Sequence, residues 1–243
     1  MSPRDCSTHA FVFEQRPSES SFVERVWRTN SSNVDNFQSV AVNEWEIVVT
    51  RIQGQSSVVV RGPETRPTVA HCPADAEFFG IAFKVGTLMP RVPPTDVVNG
   101  MIVLPAAGAK RFWVNGSAWE IPSYDNADAF VARLVRKGLV VRDQVVTSAL
   151  DSRPFGLSDR SVQRRFVRVV GLTQTAVRQI ARARRAVALL REGLSIVDVV
   201  DVAGYADQPH LTRSLRRFIG QTPSQVIANE TALSLIATDG TLR

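Results

Sequence analysis

The C-terminal part of the sequence contains two copies of one short pattern, and this repeat constrains the fold more than any other feature. Residues 158–173 align without gaps on residues 207–222, an offset of 49 residues. The identical pairs are Arg164 with Arg213, Arg168 with Arg217, Gly171 with Gly220, and Thr173 with Thr222. A repeat of this kind predicts that one small structural unit occurs twice.

Each copy has the features of a short amphipathic helix. Ser158 and Asp207 stand where a helix begins, and their side-chain oxygens can accept hydrogen bonds from the N–H groups of a first turn. Apolar residues recur at helical spacing at Val162, Phe166, Val170, Leu211, Leu215 and Ile219. Gly171 and Gly220 can adopt the left-handed conformation that ends a helix. We therefore predict helices over about residues 158–170 and 207–219.

A second, shorter helix and a turn precede each copy. Ser195 is predicted to cap a helix over residues 196–203, which Gly204 then breaks. Before the first copy, residues 142–150 are predicted to be helical and to lead into a longer turn. A helix, a turn and a helix with a basic, amide-rich outer face are typical of the helix-turn-helix arrangement.

A longer helix is predicted to join the two units over residues 175–191. Its apolar stripe consists of Val177, Ile180, Ala183, Val187 and Leu190. We expect its arginines to be solvated or close to phosphate groups; they are Arg178, Arg182, Arg184 and Arg185.

The excess positive charge of the protein lies entirely in this helical part. Residues 1–150 have fifteen basic and fifteen acidic side chains, whereas residues 151–243 have fourteen basic side chains, all arginine, and eight acidic ones. Such asymmetry indicates an attached nucleic-acid-binding module. The alternative is a solvated basic face on a helical domain.

These features resemble the DNA-binding domain of the AraC/XylS family of bacterial transcription regulators, in which a long central helix joins two helix-turn-helix units. The resemblance covers about residues 143–229 and is strongest over residues 195–213 and 218–224. The family's features here are the Gly204-Tyr205 turn, the arginine-bearing helix after it, and the closing glycine-x-threonine-proline sequence. The sequence departs from the usual family residues at Leu211, Leu215, Val226 and Ile227. These departures concern packing rather than function.

The resemblance implies that the helices over residues 158–170 and 207–219 are recognition helices. They would enter successive major grooves of double-stranded DNA, about 10 base pairs apart. The candidate DNA-binding residues are Arg160, Gln163, Arg164 and Arg168 on the first helix and Gln208, His210, Thr212, Arg213 and Arg217 on the second. Arginine can pair bidentately with guanine and glutamine with adenine.

Several of these residues have alternative roles. Arg213 could instead pair with Asp201 or Asp207, Gln163 could be solvent-exposed only, and His210 could be a surface residue. The following arginines could contact phosphate or form internal salt bridges: Arg165, Arg168, Arg216 and Arg217.

Residues 1–125 are predicted to be β-rich, because short β-branched and apolar runs alternate with glycine and proline. The predicted strands are residues 39–42, 45–52, 57–61, 78–85 and 101–104, with a tight hairpin at Asn115-Gly116 and a loop over residues 86–100. A helix is predicted from Asn126 to the stop at Lys137-Gly138.

The predicted fold class is a two-domain α+β protein with a β-rich N-terminal domain, either a cupin-like barrel or a sandwich, and an all-α C-terminal domain. The predicted divisions are a regulatory domain at residues 1–125, a connecting helix at 126–142, the double helix-turn-helix domain at 143–230, and a tail at 231–243.

The family resemblance implies that the N-terminal domain binds a small-molecule effector, dimerises, or does both, so we expect a homodimer. A DNA-binding scaffold without a ligand, whose first half only dimerises, is the alternative. The aromatic residues Trp45, Phe78, Phe79, Phe83 and Trp113 could line a pocket, although core packing is favoured. We expect no bound metal or other cofactor, because only His71 and Cys72 with Asp75 and Glu77 form a candidate ligand cluster, and an ordinary loop is favoured there.

Other function classes lack their motifs. No phosphate-binding loop, nucleophile-elbow serine or HExxH sequence is present, so we expect no enzyme. Alkyl-transfer repair proteins carry similar helix-turn-helix units but need a zinc-held cysteine cluster, and the chain has only Cys6 and Cys72. No apolar run reaches the roughly 18–20 residues of a membrane span, and no signal peptide is evident. We therefore expect a cytoplasmic protein without a membrane partner.

Overall fold

The computed structural model describes residues 11–32, 35–151 and 156–228. The first seven elements are strands: β1 (Phe11–Arg16), β2 (Val23–Ser31), β3 (Asp35–Ser39), β4 (Glu46–Ile52), β5 (Gln55–Arg61), β6 (Thr68–Cys72) and β7 (Ala76–Phe83). They are followed by β8 (Thr87–Leu88), α1 (Pro94–Val97), β9 (Met101–Leu104), β10 (Arg111–Val114) and β11 (Ser117–Glu120).

Six of these strands form one antiparallel sheet in the order β1-β2-β7-β4-β5-β9. Strand β7 pairs with β2 on one side and β4 on the other, so Ile81 lies opposite both Val26 and Ile47. All three side chains are buried, because alternate residues of a strand point to the same face and here that face is apolar. Strands β3 and β6 form a separate pair, as do β10 and β11.

Helix α2 (Ala127–Arg136) covers this apolar face. The residues predicted to lie on its buried side, Ala127, Phe130, Val131 and Leu134, are all buried. The helix ends at Lys137, and Gly138 follows with a φ of 66°. Helix α2 therefore belongs to the core of the β-rich part.

After α2, the described residues form one further short strand, β12 (Val141–Arg142), and six helices. The helices are α3 (Gln144–Leu150), α4 (Asp159–Val170), α5 (Gln174–Arg191), α6 (Ile196–Val202), α7 (Gln208–Phe218) and α8 (Pro223–Ala228). They enclose a second hydrophobic core, which also includes Val40 and Ala41 from the β-rich part. The predicted division into a β-rich N-terminal part and a helical C-terminal part is confirmed.

The turn at Asn115-Gly116 joins β10 and β11 as predicted. The φ values of the two residues are 50° and 74°, as a two-residue hairpin turn of this composition requires. Asparagine and glycine tolerate this left-handed backbone better than other residues do.

Three sequence predictions differ from the structure. The strand predicted over residues 39–42 ends at Ser39, and only Val42 makes an isolated bridge, to Glu64. The predicted loop over residues 86–100 contains β8 and α1, which are too short to give a periodic signal. The predicted connecting helix over residues 126–142 is helical only as far as Arg136, and β12 pairs with β8 after it.

Some residues discussed from the sequence fall outside the described ranges, namely Cys6, part of the turn before the first copy at 152–155, and the tail at 231–243. The side chain of His71 is likewise not described. In the described ranges, no three His, Cys, Asp or Glu side chains are grouped as a metal ion would require. Among the helices described, none is long and apolar enough to cross a membrane.

Candidate nucleic-acid interface

Helix α4 is the first predicted recognition helix and has the predicted ends. The Ser158 hydroxyl accepts a hydrogen bond from the Ser161 N–H at 3.4 Å. Phe166, Val169 and Val170 are buried beneath the helix, and Gly171 ends it with a φ of 80°. The opposite face is therefore turned outward.

Helix α7 repeats this construction. The Asp207 carboxylate accepts a hydrogen bond from the His210 N–H at 2.6 Å. Leu211, Leu215 and Phe218 are buried, and Gly220 follows the helix with a φ of 82°. The pairing of cap, apolar stripe and left-handed glycine is thus the same in both copies.

Most of the predicted DNA-binding residues lie on the outward faces of these two helices. The exposed ones are Arg160, Gln163, Arg164, Arg168, Gln208, Arg213 and Arg217, whereas His210 and Thr212 are half-buried. Within the described ranges, the side chains of Arg160, Arg164, Arg168 and Arg213 form no hydrogen bond or ion pair. The alternative pairing of Arg213 with Asp201 or Asp207 is therefore absent from the structure.

His210 is held against the turn before α7. Its Nδ1 accepts a hydrogen bond from the Ala206 N–H at 3.4 Å, and its ring meets Tyr205 edge-on with centroids 5.1 Å apart. With Nδ1 acting as an acceptor, Nε2 is the ring atom that carries a proton to donate.

Tyr205 fixes the same turn to the central helix. Its hydroxyl lies 3.0 Å from the Ser214 hydroxyl, and the Arg182 guanidinium is 4.5 Å from the centre of its ring. Arg182 also donates a hydrogen bond to the Gly204 carbonyl oxygen at 3.2 Å. Burial raises the pKa of Tyr205 despite the opposing effects of Ser214 and Arg182, so the hydroxyl is protonated at neutral pH.

Two of the arginines with open roles have intramolecular contacts. Arg165 Nε donates to Asp143 Oδ2 at 2.8 Å, while Asp143 Oδ1 caps α3 by accepting from the Val146 N–H. The Arg217 guanidinium lies 4.8 Å from the centre of the Phe218 ring. Arg165 thus forms an internal salt bridge, which was one of its two predicted roles.

Residues 40–44, which we call the docking segment, attach the β-rich part to the helices. The Ala41 N–H donates to the Phe218 carbonyl oxygen at 2.8 Å, and Asn43 Nδ2 donates to the Val177 carbonyl oxygen at 3.0 Å. Glu44 forms a salt bridge with Arg184, with the closest nitrogen and oxygen atoms 2.9 Å apart.

The salt bridge corrects the prediction that Arg184 is solvated or close to phosphate. The side chains of Arg184 and Glu44 are only 16% and 12% exposed, respectively. Burial alone would raise the pKa of Glu44, but the positive charges of Arg184 and Arg25 lower this pKa to about 2. Glu44 is therefore ionised at any pH at which the protein would act.

The two glycines that end the recognition helices both touch the β-rich part. A Cβ on Gly171 would lie 2.7 Å from Val98 Cγ2 and 3.1 Å from the Pro94 carbonyl oxygen. A Cβ on Gly220 would lie 2.4 Å from Gln38 Nε2 and 3.1 Å from Pro67 Cγ. Each glycine therefore combines a left-handed backbone with a close approach that a larger residue would obstruct.

Sequence reasoning found these glycines as helix ends but missed their contacts. It also missed the docking segment and its partners on α5. Glu44 and Arg184 are 140 residues apart in the chain, and no local periodicity links them.

Comparison with protein families agrees with the repeat. Residues 152–229 match a family described as a helix-turn-helix domain. The matched residues include both repeat copies and the helix between them. This match supports the resemblance inferred from residues 143–229.

The chain is also similar to part of a known regulator. The HTH-type transcriptional regulator RipA of Corynebacterium glutamicum is 38% identical over 69 residues, which are 28% of this chain and 21% of RipA. The chain thus matches about a fifth of the length of this relative.

Among solved structures, ToxT from Vibrio cholerae aligns over 89% of this chain and 98% of ToxT, with a TM-score of 0.40 and 10% sequence identity. A structure of ToxT bound to (E)-4-(8-methylnaphthalen-1-yl)but-3-enoic acid aligns over the same shares, with a TM-score of 0.41 and 10% identity.

Proposed function

We propose that this protein regulates transcription by binding a specific sequence of double-stranded DNA through α4 and α7. The observation that carries the proposal is the pair of matched outward faces. Arg164 and Arg213 occupy equal positions on these faces, and both are exposed and form no ion pair with any residue that the structure describes. Exposed arginines on a helix narrow enough for the major groove are suited to reading guanine.

The candidate residues divide by their position on the helices. Arg160, Gln163 and Arg164 on α4, with Gln208, Thr212 and Arg213 on α7, lie in the N-terminal halves that enter a groove first. We assign them to base edges. Arg168 and Arg217 lie in the last turns, and we assign them to phosphates. His210 is also assigned to a phosphate, because its ring is held by Tyr205 and only Nε2 can donate.

We also propose that the β-rich part controls the geometry of the two recognition helices, either through an effector or through dimerisation as a homodimer. The docking segment contacts Phe218 at the end of α7 and Val177 and Arg184 on α5. Residues near α1 meet the end of α4 at Gly171. A change in the β-rich part would therefore reach both units.

The decisive experiment uses the full chain to select the sequences that it binds from a pool of random duplex DNA. The selected sequences are then footprinted. We expect two protected half-sites on one face of the duplex, about one helical turn apart. Selection without sequence enrichment, or a single protected half-site, would overturn the proposal that both helices read DNA.

The phosphate assignments are tested by the salt dependence of binding. We expect Arg168→Gln and Arg217→Gln each to reduce the slope of log K against log salt by about 1, because one fewer counterion is released. Arg51→Gln is the matched control, since Arg51 is exposed at the end of β4 and lies outside both helices. An unchanged slope in both variants would contradict these assignments.

A further inference from the structure

A cleft lies between the β10–β11 hairpin and the C-terminal half of α2, away from the recognition helices. Its volume is about 310 Å³, which is within the range of sites for small molecules. The apolar side chains of its lining are Val114, Ala118, Trp119 and Leu139. The cleft therefore offers an apolar surface on the hairpin side.

The helix contributes three cations to the same cleft, Arg133, Arg136 and Lys137. All three are exposed, and within the described ranges none of their side chains forms an ion pair or hydrogen bond. None of the described residues that line the cleft carries a carboxylate. Cations at the end of a helix also balance its dipole, but this role does not require a cleft with an unopposed positive charge.

Trp119 provides an independent observation. Trp119 lines the cleft and is only 7% exposed, and its Nε1 is buried with no hydrogen-bond acceptor among the residues that the structure describes. The Arg133 guanidinium lies 5.2 Å from the centre of the Trp119 ring. Because buried N–H groups are almost always paired, this unpaired indole N–H is a donor that the acceptor oxygen of a ligand would satisfy.

We propose that this cleft binds a small organic anion, a carboxylate carried on an apolar body. The carboxylate would be held by Arg133, Arg136 and Lys137 and would approach the Trp119 indole N–H, while the apolar body would lie on Val114 and Leu139. Charge-assisted hydrogen bonds of this kind are the strong ones in anion recognition. This site is separate from the DNA interface. It rests on the proposed effector role of the β-rich part and gives that role a specific location.

The test is a titration of the ¹⁵N-labelled full chain with benzoate, in the absence of DNA, monitored through the indole N–H signals of its four tryptophans. Trp119→Phe identifies the Trp119 signal. We expect that signal to shift saturably at millimolar benzoate, and to respond to the neutral isostere benzamide little or not at all. No saturable shift, or an equal response to benzamide, would overturn the proposal.

Variants and a second anion separate the remaining explanations. We expect Arg133→Gln and Arg136→Gln each to weaken benzoate binding about tenfold, and Lys110→Gln, an exposed cation outside the cleft, to leave it unchanged. If sulfate shifts the Trp119 signal as strongly as benzoate does, the cleft binds an adventitious ion only, and the proposal is overturned. A shift with duplex DNA but not with benzoate would assign the cations to the DNA interface and equally overturn the proposal. Because this titration contains no DNA, its failure leaves the proposed DNA binding intact.

Discussion

The two helix-turn-helix units, α3–α4 and α6–α7, present nearly the same outer face but are held in different ways. In the second unit, Tyr205 packs the short turn against Arg182 of α5 and bonds to Ser214. In the first unit, α3 is tied to α4 by the Asp143–Arg165 salt bridge. The sequence repeat therefore covers the recognition helices and their ends, whereas each unit has its own internal support.

The units also differ in the atoms of the β-rich part that face their end glycines. A Cβ on Gly171 would meet Val98 Cγ2 and the Pro94 carbonyl oxygen, whereas a Cβ on Gly220 would meet the Gln38 amide and the Pro67 ring. Of these neighbours only the Pro94 oxygen belongs to the backbone, which cannot easily move aside. We therefore expect a larger residue to be accommodated less easily at Gly171 than at Gly220.

The docking segment contacts the end of α7 and the central helix α5, which joins the two units, so Glu44→Gln should give the largest loss of stability. The pKa of Glu44 falls from 4.5 to about 2 in the folded protein, which corresponds to about 3 kcal/mol. Because the folded pKa is lowered, this stabilisation is fully present above pH 4.5 and declines as the pH falls towards about 2.

Urea denaturation of both proteins at several pH values measures this difference. At neutral pH we expect the variant to be less stable by about 3 kcal/mol, with the gap to the wild type narrowing below pH 4.5. A gap that does not change with pH would mean that the charge of Glu44 is not what stabilises the docking segment.

Replacing the matched glycines should separate the units. We expect Gly171→Ala to destabilise the protein by about 2–3 kcal/mol and Gly220→Ala by about 1 kcal/mol. Both changes force alanine into a left-handed backbone, but only the first also places a Cβ 3.1 Å from a backbone oxygen. Gly193→Ala is the matched control, because Gly193 has a φ of 91° with open space around it.

Thermal and urea unfolding of the three variants test this order. Equal losses at Gly171 and Gly220 would show that only the backbone conformation matters. A loss at Gly193→Ala as large as that at Gly171→Ala would have the same meaning.

The arginines at equal positions should each affect one half of the DNA site. We expect Arg164→Ala and Arg213→Ala each to weaken binding to the selected sequence by about 1–3 kcal/mol and to relax specificity in a different half-site. Binding to random DNA should weaken less. Fluorescence anisotropy with selected and scrambled duplexes measures both effects, and equal losses on the two duplexes would make these residues phosphate contacts.

The features that sequence could predict are those with local causes. The caps at Ser158 and Asp207, the glycine ends and the Asn115-Gly116 turn each depend on a few neighbouring residues, and the structure has all of them. The seating of the helices on the β-rich part could not be predicted, because its partners are far apart in the chain. Arg184 illustrates this limit, since its place in an arginine-rich helix indicated solvent and its actual partner is Glu44.

Substitutions that remove the internal support of one unit should cause the smallest losses of stability, and these losses should be the most local. Tyr205→Phe removes the hydroxyl that bonds to buried Ser214, and we expect a loss of about 1 kcal/mol. Arg165→Ala breaks a salt bridge whose arginine is 41% exposed, and we expect about 0.5 kcal/mol, because solvent screens such a pair. Asp143 keeps its hydrogen bond from the Val146 N–H in that variant.

Native-state hydrogen exchange distinguishes local from global effects. If each unit has its own support, Tyr205→Phe should speed exchange mainly in α6 and α7, and Arg165→Ala mainly in α3 and α4. Faster exchange in both units from either change would show that the units open together through α5. The recognition helices would then behave as one rigid body, and the differences in their supports would have no separate effect on how each reads its half-site.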